Sequence, residues 1–416
     1  MSILKTRRNF LESTSLIGAS SLLTKVGLGF PKDIHRVGEG VDWEAVRSHF
    51  PISNWSKIHL NSGSAGVMPQ QVSDHLLDLI KYASSRAPYE VWDEWQEIKQ
   101  SNLARLANLI DATPTELQVV RNTTEALNMI ISGLSIDEGS DVIITNNAYP
   151  FALNAWKRKA AKEKFNVIEV EITLPMSEDE VANIYQDAIT PSTSIVHITH
   201  MTHREGHIMP VKRLTELSHQ YGAKVVVDGA HVIGHIDMSL KEVGCDYFAS
   251  SLHKWLNAPL GTGLIYVSEK HISSLEGHLS SYPGSSDSMD KYEHLGTRCW
   301  ANEIGIAAAL DFHDGIGREV KTERLDELKT YWVDRVAGIA SVHMHTTKEQ
   351  SCAIATFSID DYKAGQILNI LDEDYDIHAK SVSSKWGSGV RISPNIFTSK
   401  AELDHLVSAI RKITNS

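Results

Sequence analysis

Cysteine is scarce in this sequence of 416 residues, which contains only Cys245, Cys299 and Cys352. Their number is odd, they lie far apart and no CxxC pair occurs, so the sequence indicates neither a disulfide framework nor a zinc site. Heptad patterns and low-complexity segments are also lacking, and the composition is that of an ordinary globular protein. A chain of this length is expected to form one large domain and a smaller one.

Positive charge is in short supply as well. Lys and Arg number 40 against 52 Asp and Glu, which gives a formal net charge of -12. A surface for nucleic acid or for an anionic membrane needs a basic face, so both kinds of partner are disfavoured. We expect small-molecule partners and no nucleic acid.

Histidine, by contrast, is abundant, and four of the 20 histidines lie in the run HITHMTHREGH, at His197, His200, His203 and His207. On a strand, neighbours three residues apart point to opposite faces, so these rings cannot easily converge on one ion. We therefore predict that the run binds no metal.

The first thirty residues have the form of an export signal. Lys5, Arg7 and Arg8 precede a mildly apolar stretch, and the string TRRNFL closely resembles the twin-arginine signal, in which one residue, then Phe and Leu follow the arginine pair. We expect residues 1–30 to engage the twin-arginine export machinery and the protein to be periplasmic or exported. No small-x-small cleavage site is evident near the end of this segment, which leaves its removal open. The alternative is a basic amino-terminal arm on a cytoplasmic protein.

From about Val119 the pattern alternates short β-branched runs with longer amphipathic ones. Runs such as DVIITN, SIVHITH and KVVVDGA predict buried strands, and the periodic segments between them predict helices, so we expect an α/β fold with a largely parallel sheet. After a predicted arm at 31–60, the large domain is expected over 61–300. A smaller α+β domain is expected over 301–416, beginning with two long helices.

Polar residues follow two of the predicted strands, at the edge where ligands bind in such sheets. VVVDGAH ends an apolar strand with Asp228, and SSLHKW brings Ser251, His253 and Lys254 to a second strand exit. Taken singly, Asp228 would be a cap or turn residue and Lys254 a solvated surface residue. Taken together they suit pyridoxal phosphate, because a desolvated amine can attack its aldehyde and a buried carboxylate keeps its ring nitrogen protonated.

The phosphate of such a cofactor needs hydroxyls and backbone N–H groups at a helix start. RNTTEALN places Thr123 and Thr124 directly before a helical pattern, and Ser251 and His253 offer further donors. The alternative for the two threonines is an ordinary helix cap.

These motifs together resemble those of the class V aminotransferase superfamily of fold-type I pyridoxal-phosphate enzymes, in particular its branch of isopenicillin N epimerase-like and cysteine desulfurase-like members. The likeness runs from IHLNSGSAGVMP at residue 58 to the final helical pattern, and HKW followed by AP is typical of the epimerase-like members. It implies a fold-type I transferase with a large and a small domain, pyridoxal phosphate as cofactor, and a homodimer with shared active sites.

The resemblance also implies roles for individual residues. Lys254 is expected to form the Schiff base, Asp228 to contact the ring nitrogen and His231 the phenolic oxygen, and these three are the expected catalytic residues. Tyr149 falls where an aromatic ring or His stacks on the cofactor, and His203 stands where an Asn commonly touches it. The remaining implied contacts are phosphate binding by Thr123, Thr124, Ser251 and His253, binding of the partner's phosphate by Gly296 and Thr297, and binding of a substrate carboxylate by Arg391.

The family's reactions share these residues, so the sequence leaves the reaction open. We expect transamination or β-elimination on an amino acid or an amino-acid-containing metabolite, with epimerisation as the alternative. A desulfurase is less favoured, because the segment 376–390 lacks the catalytic Cys that desulfurases carry shortly before the Arg, and Cys352 lies in an apolar run. A non-catalytic dimeric binding module is the alternative of another class, against which the intact Lys254, Asp228 and Arg391 argue.

Overall fold

A computed structural model describes residues 36–37, 40–279, 284–384 and 387–415, so the predicted export signal lies outside the described part of the chain. Its strands, in chain order, are β1 Arg36–Val37, β2 Gly40–Val41, β3 Ile58–His59, β4 Leu117–Val120, β5 Asp141–Thr145, β6 Asn166–Val170, β7 Thr193–Thr199, β8 Lys224–Asp228, β9 Tyr247–Ser251, β10 Gly263–Val267, β11 Val342–Met344, β12 Ala355–Ile359, β13 Ile377–His378, β14 Lys380–Ser384 and β15 Gly387–Ile392.

The helices flank these strands. They are α1 Trp43–Ser48, α2 Gln70–Ser84, α3 Pro88–Leu109, α4 Thr123–Gly133, α5 Pro150–Glu163, α6 Glu178–Ala188, α7 Val211–Gln220, α8 Leu240–Val243, α9 Glu269–Ile272, α10 Ala301–Ile304, α11 Ile306–Ile316, α12 Arg318–Val336, α13 Ala364–Glu373 and α14 Lys400–Ile413. Short 3-10 turns occupy Ile52–Asn54, Pro114–Glu116 and Met289–Tyr292. Within the described residues, no helix is both long enough and apolar enough to span a bilayer.

The larger sheet has seven strands in the described part of the chain, in the order β4-β10-β9-β8-β7-β5-β6. Its strands from β9 to β6 are parallel, and β10 runs antiparallel to both β9 and β4. Helices cover both faces, which is why inner strands such as β5, β8 and β10 are mainly apolar rather than alternating, whereas the edge strand β6 is mostly exposed. In β8, for example, Val225 and Val227 belong to one buried cluster and Val226 to the cluster on the other face. The predicted mainly parallel α/β fold is confirmed.

The helical region after residue 300 differs from the sequence expectation. We expected two long helices, whereas the chain forms α10, α11 and α12. The breaks fall at Gly305 and Gly317, and Gly317 adopts a φ of 95°, a conformation that an L side chain rarely accepts. Glycine therefore breaks this segment at two positions, where the sequence pattern predicted one break.

The last part of the chain builds an antiparallel sheet of order β11-β12-β15-β14, which packs with α12, α13 and α14 around its own apolar core. The segment that precedes the larger sheet joins this unit. Strand β3 pairs in parallel with β13, Arg47 forms an ion pair of 2.7 Å with Glu402, and Phe50 contacts Phe397. Residues 58–66 are thereby held between the two sheets, next to the functional site described below.

Candidate active site

The carboxyl edge of the larger sheet brings its polar strand exits together, because parallel strands end on the same side. In the strand registers, Thr199 pairs with Asp228 and Asp228 with Ala249. A cavity of about 390 Å³ lies over this edge. Ten of the residues predicted from the sequence line it: Thr123, Thr124, Tyr149, His203, Asp228, His231, Ser251, His253, Lys254 and Arg391. Gly296 and Thr297 are exposed in the loop before α10, so their contact with a partner's phosphate stays a prediction.

The start of α4 forms one wall of this cavity. Asn122 caps the helix by accepting the Glu125 N–H at 2.9 Å. The hydroxyls of Thr123 and Ser251 lie 2.7 Å apart, and the Thr123 N–H donates to Ser251 Oγ at 3.2 Å, so the helix start is held against the end of β9. The amino end of an 11-residue helix carries partial positive charge and unpaired N–H groups. Together with the Thr124 side chain, this wall suits a phosphate.

His253 lies beside the same wall and is oriented by the backbone. Its Nδ1 donates to the Thr262 carbonyl at 2.8 Å, which leaves Nε2 for a ligand. Burial lowers the pKa of His253 below its ordinary value, so the ring is neutral at neutral pH in the chain alone.

Asp228 is the last residue of β8 and is only 3% exposed. Its Oδ1 accepts the Ala230 N–H at 3.0 Å, and it forms no ion pair with a described residue. Burial raises the pKa of the carboxyl, while the Ala230 N–H and the charge of Lys254 oppose this rise. A buried carboxylate in this state favours a cationic N–H as its partner.

Lys254 stands three residues beyond β9, and its Nζ lies 3.3 Å from His231 Nε2. Burial lowers the pKa of Lys254 to about 8, and the charge of Arg391 acts in the same direction, against that of Asp228. The pKa of His231 falls well below its ordinary value, chiefly through burial, so its ring is neutral. About a tenth of the Lys254 amine is therefore uncharged at pH 7, far more than for an ordinary lysine, and the uncharged form is the one that acts as a nucleophile or a general base.

Tyr149 and His203 form an aromatic pair at the cavity wall. Their ring centroids are 5.3 Å apart at 86°, and Tyr149 immediately precedes α5. Burial, together with the charges of nearby basic residues, lowers the pKa of His203 to about 3. His203 is thus a neutral ring whose Nδ1, though buried, has no partner among the described residues.

Arg391 projects from β15 and is 4% exposed. Its Nη1 donates to the His203 carbonyl at 2.7 Å, and its Nη2 donates to Asn61 Oδ1 at 2.8 Å and Ser64 Oγ at 2.9 Å. Burial lowers the pKa of Arg391 to about 10, so the guanidinium stays charged at neutral pH. A fixed, desolvated guanidinium is suited to a substrate carboxylate.

The donor set fits pyridoxal phosphate, the cofactor that the sequence resemblance implies. Three buried polar atoms on the cavity wall, Thr199 Oγ1, His203 Nδ1 and Arg391 Nε, have no hydrogen-bond partner in the described part of the chain. Such atoms cost free energy unless a ligand or water satisfies them. The phosphate wall, the buried carboxylate and the amine of lowered pKa surround a cavity whose volume lies within the range of roughly 300–1,000 Å³ that is typical of ligand sites.

Several functional residues were missed from the sequence. Gly63, Ser64 and Lys380 line the cavity, and Asn61 holds Arg391. Gly66 lies so close to the lysine that a Cβ there would be 1.9 Å from the Lys254 carbonyl oxygen. All of them lie outside the β-α-β series, and the glycine-rich string NSGSAG was the available signal for the first segment.

The histidine run does not form a cluster. His197 accepts the indole N–H of Trp156 at 3.3 Å, whereas His203 faces the cavity. Burial lowers the pKa of each of the four rings. Among the residues described, no group of three or more His, Cys, Asp or Glu side chains could hold a metal ion.

Known proteins resemble this chain over most of its length. The isopenicillin N epimerase of Streptomyces clavuligerus is 24% identical over 395 residues, which is 90% of this chain and 98% of that protein. A probable cysteine desulfurase of Halalkalibacterium halodurans is 28% identical over 332 residues, 74% of this chain and 80% of that protein. Among solved structures, a C-DES mutant with glycine covalently linked to its PLP cofactor has a TM-score of 0.80 at 19% identity, and covers 87% of this chain and 98% of its own.

At 19% identity the structural likeness shows the fold alone, and it confirms the predicted fold-type I transferase fold. Membership follows from a different comparison, since the family model described as aminotransferase class-V matches residues 58–406. This match contains every residue that we assign to the cavity, from Gly63 to Arg391. The chain belongs to the aminotransferase class-V family.

Proposed function

We propose that this pyridoxal-phosphate-dependent enzyme binds its cofactor covalently at Lys254 and acts on an amino acid, or an amino-acid unit of a larger metabolite, by transamination or β-elimination. The observation that carries the proposal is the single cavity lined by Lys254, Asp228 and Arg391, in which an amine of lowered pKa lies 3.3 Å from His231. Each group has a separate task there, so the arrangement supports a catalytic rather than a purely binding role.

The chain's own residues bind, orient and move protons. Pyridoxal phosphate, when bound, supplies an electron sink for the negative charge that develops at the substrate Cα. Asp228 keeps a proton on the ring nitrogen, and Arg391 fixes the substrate carboxylate with its planar fork. The substrate amine displaces Lys254 from the cofactor carbonyl, and the freed Lys254 Nζ removes and returns the proton at Cα as general base and acid, because its lowered pKa lets it hold or release that proton near neutral pH.

Epimerisation is the second candidate, since the Streptomyces relative that aligns with 90% of this chain is an isopenicillin N epimerase. Inverting the configuration at Cα needs proton transfer on both faces of the carbon. Lys254 would serve one face, and the Tyr149–His203 pair, which lines the same cavity, offers a group for the other. Transamination and elimination need no second group, so Tyr149 distinguishes the candidates.

Desulfuration is supported less, although cysteine desulfurases are among the relatives. The segment 376–390 contains no Cys. Cys352 is buried, its Sγ donates to the carbonyls of His235 and Thr322, and burial raises the pKa of its thiol to about 12. A thiol held protonated in this way is a poor acceptor for substrate sulfur.

Two further proposals concern assembly and location. A homodimer with shared sites is supported by the exposure of Gly296 and Thr297, and by apolar side chains that α2 and α3 leave exposed: Leu77, Ile80, Tyr89 and Trp92. Export by the twin-arginine machinery is supported by the string TRRNFL alone. A size measurement of the purified protein and a fractionation of cells test the two separately.

The reaction is tested by incubating the holoenzyme with a panel of amino acids in heavy water. Keto acid with an intact side chain and no free ammonia supports transamination, whereas keto acid with ammonia and loss of a side-chain substituent supports β-elimination. Deuterated product of both configurations supports epimerisation. Tyr149→Phe should abolish only the last of these outcomes. A wild-type protein that stays colourless with added cofactor, or whose colour is unaffected by borohydride and by Lys254→Ala, would contradict the enzymatic proposal and leave the binding module.

A further inference from the structure

A line of hydrogen bonds leads from a buried indole to the reactive amine. The Trp255 Nε1–H donates to His231 Nδ1 at 3.2 Å, and His231 Nε2 lies 3.3 Å from Lys254 Nζ. Trp255 is completely buried, and it is the residue directly after Lys254. It does not line the cavity, so it has no part in the contacts assigned above.

The order of donors along this line follows from chemistry alone. An indole nitrogen can donate a hydrogen bond and cannot accept one. His231 Nδ1 must therefore be the acceptor, and the proton of the neutral ring must sit on Nε2. Nε2–H then points at Lys254 Nζ, where it can donate to the lone pair of a free amine but not to an ammonium group.

We propose that Trp255 is a positioning residue that fixes the tautomer of His231, so that Nε2–H favours the uncharged amine of Lys254. This inference rests on the proposed use of Lys254 to bind the cofactor. It extends that proposal to a residue with no contact to cofactor or substrate.

The surroundings of Trp255 hold the indole in this orientation. Its ring stacks on His235 at a centroid distance of 3.8 Å, and its carbonyl accepts a hydrogen bond of 2.5 Å from the buried Lys321. His235 is itself fixed, because its Nδ1 donates to the His231 carbonyl and its Nε2 accepts the Ala353 N–H. An indole restrained on its face and at its backbone cannot rotate away from His231 without breaking these contacts.

The charged groups around His231 also keep its ring neutral. Its ring faces the charges of Lys254 and Arg391, and the rings of His203 and His235 lie nearby. None of these groups stabilises an imidazolium, and burial opposes it as well. His231 therefore stays neutral near neutral pH, and its tautomer, rather than its charge, is the property that Trp255 controls.

The tautomer can be measured directly in cofactor-free protein labelled with 15N at histidine. The His231 signals are identified by their loss in His231→Gln, and their chemical shifts distinguish a protonated from an unprotonated ring nitrogen. We expect the proton on Nε2 in the wild type. A proton on Nδ1 would overturn the inference, whatever the outcome for cofactor binding.

The consequence for the amine is tested with Trp255→Phe, which keeps an aromatic ring and removes the N–H. His231 can then place its proton on Nδ1 and accept from an ammonium group, so the pH midpoint for colour formation with added pyridoxal phosphate should move upward by about one pH unit, the equivalent of one hydrogen bond. Trp156→Phe is the matched control, because it removes an indole bond of 3.3 Å to His197, which does not line the cavity.

The two variants are compared after circular dichroism has shown that both fold. An upward shift in Trp255→Phe with an unchanged midpoint in Trp156→Phe supports the proposal. Equal midpoints in all three proteins would refute it, as would a downward shift. A wild type that gives no borohydride-sensitive colour contradicts the proposed function instead, and the 15N measurement still decides the tautomer if Trp255→Phe does not fold.

Discussion

Replacing Asp228 by Asn is expected to raise the stability of the cofactor-free chain and to lower the activity of the holoenzyme. In the cofactor-free chain the carboxylate is 3% exposed, accepts one N–H from Ala230 and has no ion-pair partner among the described residues, and burial raises its pKa. An Asn of the same shape can still accept the Ala230 N–H and places no charge in the interior. The free energy of unfolding of the cofactor-free variant should therefore exceed that of the wild type near neutral pH.

The holoenzyme should behave in the opposite way. A hydrogen bond from a cationic ring nitrogen to a carboxylate is worth about 1.5–3 kcal/mol, so its loss should lower kcat/KM by roughly 10- to 150-fold through weaker cofactor binding and a weaker electron sink. Urea unfolding of the cofactor-free proteins, absorbance titration with pyridoxal phosphate and steady-state kinetics measure the three quantities. An Asp228→Asn protein that is less stable without cofactor, or as active as the wild type with it, would refute the assignment of Asp228.

Asp246 supplies the matched control. It precedes β9 at the opposite edge of the sheet, where Lys270, His219 and His271 contact it at 2.8–2.9 Å and hold the pKa of its carboxyl well below the ordinary value. Asp246→Asn removes a carboxylate that its surroundings stabilise, so we expect the chain to lose stability while the cofactor titration is unchanged. The contrast between the variants separates the loss of a paired charge from that of an unpaired one.

Three further outcomes are expected. Burial lowers the pKa of Lys321 from 10.5 to about 7, so between these pH values the unfolded chain holds more protons than the folded chain. The free energy of unfolding should therefore rise with pH across this window, by up to about 5 kcal/mol more than in Lys321→Met. Wild-type and variant stabilities from urea unfolding that change in parallel with pH would contradict this. His253 Nδ1 donates to the Thr262 carbonyl, so Nε2 can donate to a phosphate only when the ring is protonated, and calorimetry at about pH 8 should show uptake of about one proton more in the wild type than in His253→Gln. Lys380 lies opposite Arg391 across the strand pair, lines the cavity and forms no ion pair with a described residue. Lys380→Gln should therefore raise KM several-fold for amino acids with a second carboxylate and leave KM unchanged for amino acids with a neutral side chain.

The sequence predicted those parts of the site that follow from local pattern. Asp228 and Lys254 each stand just after a short apolar run, and parallel strands bring such exits to one edge whatever the rest of the chain does. Thr123 stands at the start of a strongly periodic segment, which the structure forms as α4. In these cases a few neighbouring residues contain enough information to place a side chain.

The missed residues depend on contacts between distant parts of the chain. Ser64 and Asn61 reach Arg391 because the Ser62 N–H donates to the Ser393 carbonyl, a pairing across more than three hundred residues that no local pattern encodes. Lys380 lies on β14, whose sequence KSVSS has little apolar alternation and becomes a strand by pairing with β15. Tertiary pairing overrides weak local preference in both cases.

The energetics of the cavity favour an uncharged amine at Lys254. Lys254 and Arg391 are both buried in a wall whose one carboxylate, among the residues that the structure describes, is Asp228, and burial lowers the pKa of each. The desolvation that makes the cofactor-free site costly also keeps part of the Lys254 amine uncharged. The ring of His231, whose Nε2 lies 3.3 Å from Lys254 Nζ, is neutral and adds no further positive charge. A ligand that brings a phosphate to the start of α4, a cationic N–H to Asp228 and a carbonyl to Lys254 relieves each cost at once. Cofactor binding should therefore stabilise this chain more strongly than the contacts alone suggest, because part of the gain is relief of the desolvation cost of these buried groups.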